Sequence, residues 1–343
     1  MKSELLALLR GVYDKHCETL RQHLDNRPNL GAALVDLDEY HRLTGFVQDD
    51  LTTVETFPLF DSTRGLTFVA QYNPRRKDRF KRAWRQSPPG DIIAAHDGCP
   101  IVMENVWWQQ HGLQIPYPKR FNNRPYYILV QPFKFGEGHC TIPSMLDEPQ
   151  DWRPHLSTFH RRLLDLHAVT AMLGTHVILY NGVGAGASIS VRFHVHILHK
   201  PGGLPIQQMT RKVGLPSECA SVLRLPDTIW PLPAFRVSGP PEFVAGEVAR
   251  LASHWQEVAG EQATESVAMY VEDAAVVCIY VPRDRKRELA TSFGGPIGAY
   301  EAACGVFIFS EEDKGLALRG GNMSAGDLWG VLLEVRPEKA ASL

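Results

Sequence analysis

The chain has 343 residues, 44% of them hydrophobic and 22% charged, with a formal net charge of −2. That is enough apolar material for one large domain or two, and its near-neutral balance argues against a surface dominated by nucleic-acid binding. No apolar run approaches the roughly 20 residues of a membrane span. Glu4 and Arg10 interrupt the N-terminal leucines, so a signal-peptide core is missing. The six scattered cysteines form no Cys-x-x-Cys pair, and a reducing, cytoplasmic setting is expected.

Residues 3–25 repeat apolar positions at helical spacing (Leu5, Leu6, Leu8, Leu9, Val12, Tyr13, Leu20, Leu24), and Asp25-Asn-Arg-Pro28 ends that helix. Residues 32–61 mix short apolar runs with acids and read as a second helical or irregular segment. A strand follows at Leu66–Tyr72, then a basic run from Arg75 to Arg85. Further strands are expected at Tyr126–Val130, Cys140–Ile142 and Thr175–Tyr180, with a helix over 151–174 between the last two. Pro201-Gly-Gly and the proline-rich span 226–241 read as loops or a connection. Beyond it the pattern predicts a helix over 243–258, strands at Ser266–Tyr270 and Ala275–Val281 around a turn at Glu272-Asp273, a strand at Val306–Phe309 and a final helix over Ala325–Val335. Helices and strands intermix without a series of identical βα units, which favours an α+β fold over a doubly wound parallel sheet. The expected organisation is a helical extension (1–60), a first half (61–205), a proline-rich connection (206–241) and a second half (242–343).

The chemistry concentrates in Tyr180-Asn181-Gly182-Val-Gly-Ala-Gly186-Ala187-Ser188-Ile-Ser-Val-Arg192-Phe-His194-Val-His196-Ile-Leu198. Small residues at 181–188 can bring backbone N–H groups close to a ligand. The alternating run that follows is expected to project Arg192, His194 and His196 from one strand face and to bury Phe193, Val195 and Ile197 on the other. A cation and two imidazoles beside a glycine loop suit the holding and attacking of a phosphate. Without the full Gly-x-Gly-x-x-Gly or a Gly-Lys-Ser ending, neither a dinucleotide fold nor a Walker loop is indicated.

This segment resembles the histidine-triad and hexose-1-phosphate (galactose-1-phosphate) uridylyltransferase superfamily, and within it the GDP-hexose phosphorylases and dinucleoside polyphosphate phosphorylase-like proteins. Flanking stretches are similar as well: Phe68–Arg76 with Asn73, Arg75 and Arg76; the strand–Pro–turn–His–strand run Tyr127–Pro143 with His139, and Glu148-Pro-Gln150 after it; Val277–Arg283; and Glu301-Ala-Ala-Cys-Gly305-Val306. The resemblance implies a mostly antiparallel sheet with flanking helices. It also implies an imidazole that attacks an α-phosphate to form a nucleotidyl-histidine, which a second substrate resolves. In the preferred register Arg192 takes the place of the first histidine, His194 that of the nucleophile and His196 the third position. The rival register makes His196 the nucleophile and leaves Leu198 third. The family's transferases and phosphorylases place Gln at the third position and its hydrolases His, so His196 leaves phosphorolysis and hydrolysis both open.

The implied site therefore comprises His194, His196 and Arg192 for catalysis, and Asn73, Arg75, Arg76, Asn181, Gly182, Gly186, Ala187 and Ser188 for the nucleotide and its phosphates. The implied partners are a nucleotide or nucleotide-sugar substrate, phosphate and, by analogy with relatives, a second copy of the chain. No cofactor is called for: side-chain and backbone donors can neutralise the phosphates without Mg²⁺. The alternatives are a nucleotide-binding protein without turnover, motivated by Arg192, and a metal site on His194 and His196 completed by His139, His199 or Glu301. His139 otherwise reads as a turn residue in the sheet core, His199 as structural, Arg283, Arg285, Lys286 and Arg287 as a solvated cluster or a grip on a second phosphate, and Trp107-Trp108 as core cover or a surface for stacking on a base or sugar.

Overall fold

The computed structural model describes residues 2–48, 51–77, 94–108, 113–152, 156–200, 202–213 and 220–339. Most of the basic run, including Arg79, Lys81, Arg82 and Arg85, lies outside the described residues. The chain forms two compact units drawn from interleaved segments: Met1–Thr53, Arg75–Pro149 and Val191–Leu198 make the first, and Val54–Pro74, Gln150–Ser190 and His199–Leu343 the second.

In the first unit the expected N-terminal helix spans Lys2–Asp25. A second, Leu30–Leu43, starts at Asn29, whose side chain accepts the Ala32 N–H at 2.9 Å and so satisfies one orphan donor. Four strands pair antiparallel in the order Tyr117–Phe121, Arg124–Val130, Cys140–Pro143 and His194–His199. Asn122 and Asn123 both take positive φ (45° and 66°) between the first two, the two-residue turn that matches strand twist and that Asn tolerates. The register of the last pair sets Thr141 opposite His196 and Pro143 opposite His194.

The second unit is built on five antiparallel strands in the order His176–Asn181, Ala263–Glu272, Ala275–Asp284, Phe235–Ser238 and Ser221–Arg224. Helices Leu156–Leu173 and Pro241–Ala259 pack on each other and on this sheet. The second helix buries Val244, Val248, Leu251 and Trp255, each such apolar burial stabilising by roughly 1.5–3 kcal/mol. The Trp255 indole N–H, held away from water, donates to the carbonyls of Arg283 (2.8 Å) and Thr264 (3.1 Å). A smaller sheet pairs Leu66–Tyr72 antiparallel with Glu55–Asp61 and parallel with Val306–Phe309.

The α+β class and the mostly antiparallel sheets with flanking helices agree with the sequence. Several elements differ. The 32–61 stretch contains most of the Leu30–Leu43 helix, as the helical reading has it, and then a strand, Glu55–Asp61, whose alternate residues face solvent. The span 226–241 contains the Phe235–Ser238 strand as well as loops. Helix Pro205–Lys212 begins on its proline, a position where the missing N–H has no helical partner to lose.

Candidate active site

The histidine strand starts at His194, two residues later than the alternation suggests, and Arg192 sits in the bend before it. The reason is local. The backbone on either side of Phe193 is held by Glu148 and Ser144, with Phe193 N donating to Glu148 O (2.6 Å) and Ser144 N donating to Phe193 O (2.8 Å). Arg192 is nonetheless buried, 6% exposed, and its guanidinium is well anchored. Nη1 donates to the Leu146 carbonyl, and Nη2 lies 3.3 Å from His96 Nε2 and 3.4 Å from Asp147 Oδ1.

His194 is 3% exposed, and its Nδ1 stands 2.9 Å from the Arg192 carbonyl oxygen. A carbonyl can only accept, so Nδ1 carries the proton and the neutral ring keeps its lone pair on Nε2. His196 follows on the same strand face with its ring 5.5 Å from that of His194, as the period of two requires. Its Nδ1 has different partners: His139 Nε2 at 3.1 Å and Thr141 Oγ1 at 3.4 Å, the latter hydroxyl itself receiving the Gln131 amide N–H. Phe135 packs on His139 with ring centroids 3.8 Å apart, and the Arg76 guanidinium lies 4.8 Å over Phe135. Arg76 is thus tied to the histidine cluster through one aromatic ring, whereas Arg75 turns to the Gln48 carbonyl (3.3 Å).

The glycine loop, in the second unit, is rigid for identifiable reasons. Gly184 and Gly186 take φ of 78° and 95°. A Cβ on Gly186 would stand 2.7 Å from Gly298 Cα, and one on Gly182 2.3 Å from Thr264 Oγ1, so neither position admits a side chain without displacement. Asn181 Oδ1 accepts the Ala299 N–H (2.6 Å), and its carbonyl accepts the Gln150 amide (2.7 Å). The Gly186 N–H donates to Glu288 Oε1 (3.0 Å), Ala187 follows half-buried, and Ser188 is exposed. Asn73 belongs to this unit too: it is 1% exposed, and its N–H donates to Phe309 O. Beneath the 297–299 segment lies the fully buried Arg283, donating to Ile297 O (2.9 Å). Burial lowers its pKa to about 10, against the pull of Glu301 and Glu288, so it stays cationic at neutral pH.

The possible third metal ligands have other engagements. His199 packs edge-on against His176, and Glu301 accepts the Gly298 N–H (3.0 Å). Among the described residues no group of three or more His, Cys, Asp or Glu side chains converges to hold a metal ion. In the basic cluster, Arg285 and Arg287 are paired with Asp151 and Glu338, each at 2.5 Å. Trp108 is buried, and Trp107 lies under the Arg10 guanidinium. Thr141, His96 and Glu288 are the contacts that the sequence did not point to, whereas His139 reads there as a turn residue or a metal ligand beside His196. Only the strand register, which sets Thr141 across from His196, could have suggested the first.

A family model described as a domain of unknown function, DUF4922, matches residues 50–199, the span that contains both the Asn73–Arg76 segment and the histidine strand. No curated protein matches the sequence significantly. Among solved structures the chain is similar to yeast Ap4A phosphorylase Apa2. Against that enzyme's crystal structure the TM-score is 0.59 at 15% identity, over 88% of this chain and 97% of the other. Its complex with AMP gives 0.58 at 13% identity (88% and 96%), and its complex with Ap4A gives 0.56 at 15% (88% and 97%). At these identities the likeness is one of fold, and it extends over most of both chains.

Proposed function

We propose that this protein is a nucleotidyl-transferring phosphorylase of the histidine-triad and hexose-1-phosphate uridylyltransferase type, acting on a nucleotide phosphoanhydride. The observation that carries the proposal is the 2.9 Å contact of His194 Nδ1 with the Arg192 carbonyl. With Nδ1 donating to that carbonyl, the neutral ring presents its lone pair on Nε2 as the nucleophile. In the first step Nε2 bonds to the α-phosphorus and the phosphoanhydride P–O bond breaks, its electron pair leaving on the departing phosphate. In the second, an oxygen of inorganic phosphate attacks the same phosphorus and the P–N bond returns its pair to Nε2. Arg192 and His196 are assigned to orient and neutralise phosphoryl oxygens. Ser188 and the backbone of Asn181, Gly182, Gly186 and Ala187 are assigned to hold phosphate, and Asn73, Arg75 and Arg76 to hold the nucleotide. The fold shared with Ap4A phosphorylase supports a dinucleoside polyphosphate as donor, with nucleoside diphosphate sugars next.

His196 at the third position supports a second reading, in which water rather than phosphate resolves the intermediate. One experiment addresses both. The protein is mixed briefly with dinucleoside polyphosphates and nucleotide sugars in the absence of phosphate, and its intact mass is measured. A gain of one nucleoside monophosphate, absent in His194→Ala, is expected. Added phosphate should then release a nucleoside diphosphate; release of the monophosphate regardless of added phosphate would favour the hydrolase. An adduct that survives His194→Ala would refute the assignment of the nucleophile.

A further inference from the structure

The glycine loop already carries an anion. Glu288 Oε1 accepts the Gly186 N–H at 3.0 Å, a charge-assisted hydrogen bond of the kind a backbone amide makes to a phosphate oxygen. The amide cannot easily turn elsewhere. Gly186 sits at φ 95° with its Cα side pressed on Gly298, and the Gly298 backbone is fixed in turn by Glu301 and by Arg283 through Ile297. Glu288 is held differently from the loop it touches. Its backbone carbonyl is anchored by Ile297 N (3.0 Å), but its side chain is half-buried and precedes Leu289, which is 66% exposed, so a released carboxylate reaches water. Two carboxylates, Glu288 and Glu301, act on the buried guanidinium of Arg283.

We infer that Glu288 is an internal competitor for the Gly186 amide: a phosphate-bearing ligand gains this amide only when the carboxylate leaves it. The inference rests on the reading of the loop as phosphate-holding given above. Glu288 then sets the affinity of the resting protein for phosphate groups, because binding must first break an existing charge-assisted hydrogen bond and then tolerate the displaced negative charge nearby.

The test is calorimetric titration of ADP, GDP, UDP and inorganic phosphate into the wild-type chain, Glu288→Ala and Glu288→Gln at constant ionic strength. The Ala variant should bind the preferred nucleoside diphosphate about tenfold more tightly than wild type. Gln, which keeps an acceptor but no charge, should fall between, and the bare nucleoside should bind all three chains equally. If Glu288 instead braces the loop, the Ala variant binds more weakly than wild type and Gln restores binding, which overturns the inference. Equal affinities in all three chains overturn it too. If thermal unfolding shows that the Ala variant does not fold, the Gln variant decides alone. Failure of every chain, wild type included, to bind any phosphate compound would remove the phosphate-holding role of the loop itself, a result distinct from loss of the competitor.

Discussion

His41 offers a quantitative test of the first unit. Its ring is fully buried, with Nδ1 donating to the Leu37 carbonyl at 2.7 Å and Nε2 accepting the Ile115 N–H at 3.0 Å. Both nitrogens are therefore used by the neutral form, and burial, reinforced by the nearby Lys134 charge, lowers the pKa from 6.5 to about 4 although Asp38 opposes it. The unfolded chain binds this proton near pH 6.5 and the folded chain only near 4, so stability is complete above 6.5 and declines as pH falls through that interval. The linked loss is about 3 kcal/mol. In His41→Leu the titration vanishes, but the Ile115 N–H loses its acceptor, which destabilises by about 1–3 kcal/mol at pH 7.5. Urea unfolding followed by tryptophan fluorescence at steps from pH 7.5 to 4 should show wild type losing about 3 kcal/mol relative to the variant, so that the gap closes or changes sign. Other groups titrate in both chains and cancel. Parallel curves would mean that the imidazole is not held neutral, and the bonding assigned to its two nitrogens would be wrong.

Two further substitutions probe the candidate site. Gly186→Ala places a Cβ against the Gly298 backbone at a φ that L residues avoid; a stability loss of at least about 2 kcal/mol and loss of nucleotide binding are expected in thermal and calorimetric measurements. A variant that binds as well as wild type would exclude the loop from the site. His139→Ala removes the nitrogen beside His196 Nδ1 and the ring packed on Phe135, and should destabilise by about 2–3 kcal/mol. The His194 adduct should still form in that variant while its turnover slows; a loss of adduct instead would place His139 in the first chemical step.

The long apolar segments were legible in the sequence: the first helix by its leucine spacing, although Leu5, Leu8, Leu9 and Val12 are exposed, the buried Ala263–Glu272 and Ala275–Asp284 strands, and the alternation of His194, His196 and their apolar neighbours. Glu55–Asp61 was not, since Pro58 and its exposed alternate residues look like an irregular stretch until Leu66–Tyr72 pairs with it. Phe235–Ser238 was hidden by the prolines before it, although it is wholly buried between two partners. The glycine loop was visible as composition, but its rigidity depends on residues about a hundred positions away: Glu288 for Gly186 and Ala299 for Asn181. His96 reaches Arg192 from 96 positions earlier in the chain, and His139 reaches His196 across 57. Such contacts are set by strand register and loop closure, which a local pattern does not encode.

The interleaving of the two units has a consequence for how the protein comes off the ribosome. Leu66–Tyr72 emerges early, yet its parallel partner Val306–Phe309 is more than 230 residues away in the chain. The nascent second unit must therefore expose an unpaired strand edge for most of synthesis, a template that other chains can join. Nor can one proteolytic cut or one cloning boundary release either unit as a continuous polypeptide, because each is assembled from three separate stretches. The second unit can thus complete its folding only late in synthesis, and a chain stopped before Val306 should appear in inclusion bodies or on chaperones rather than as a soluble fragment.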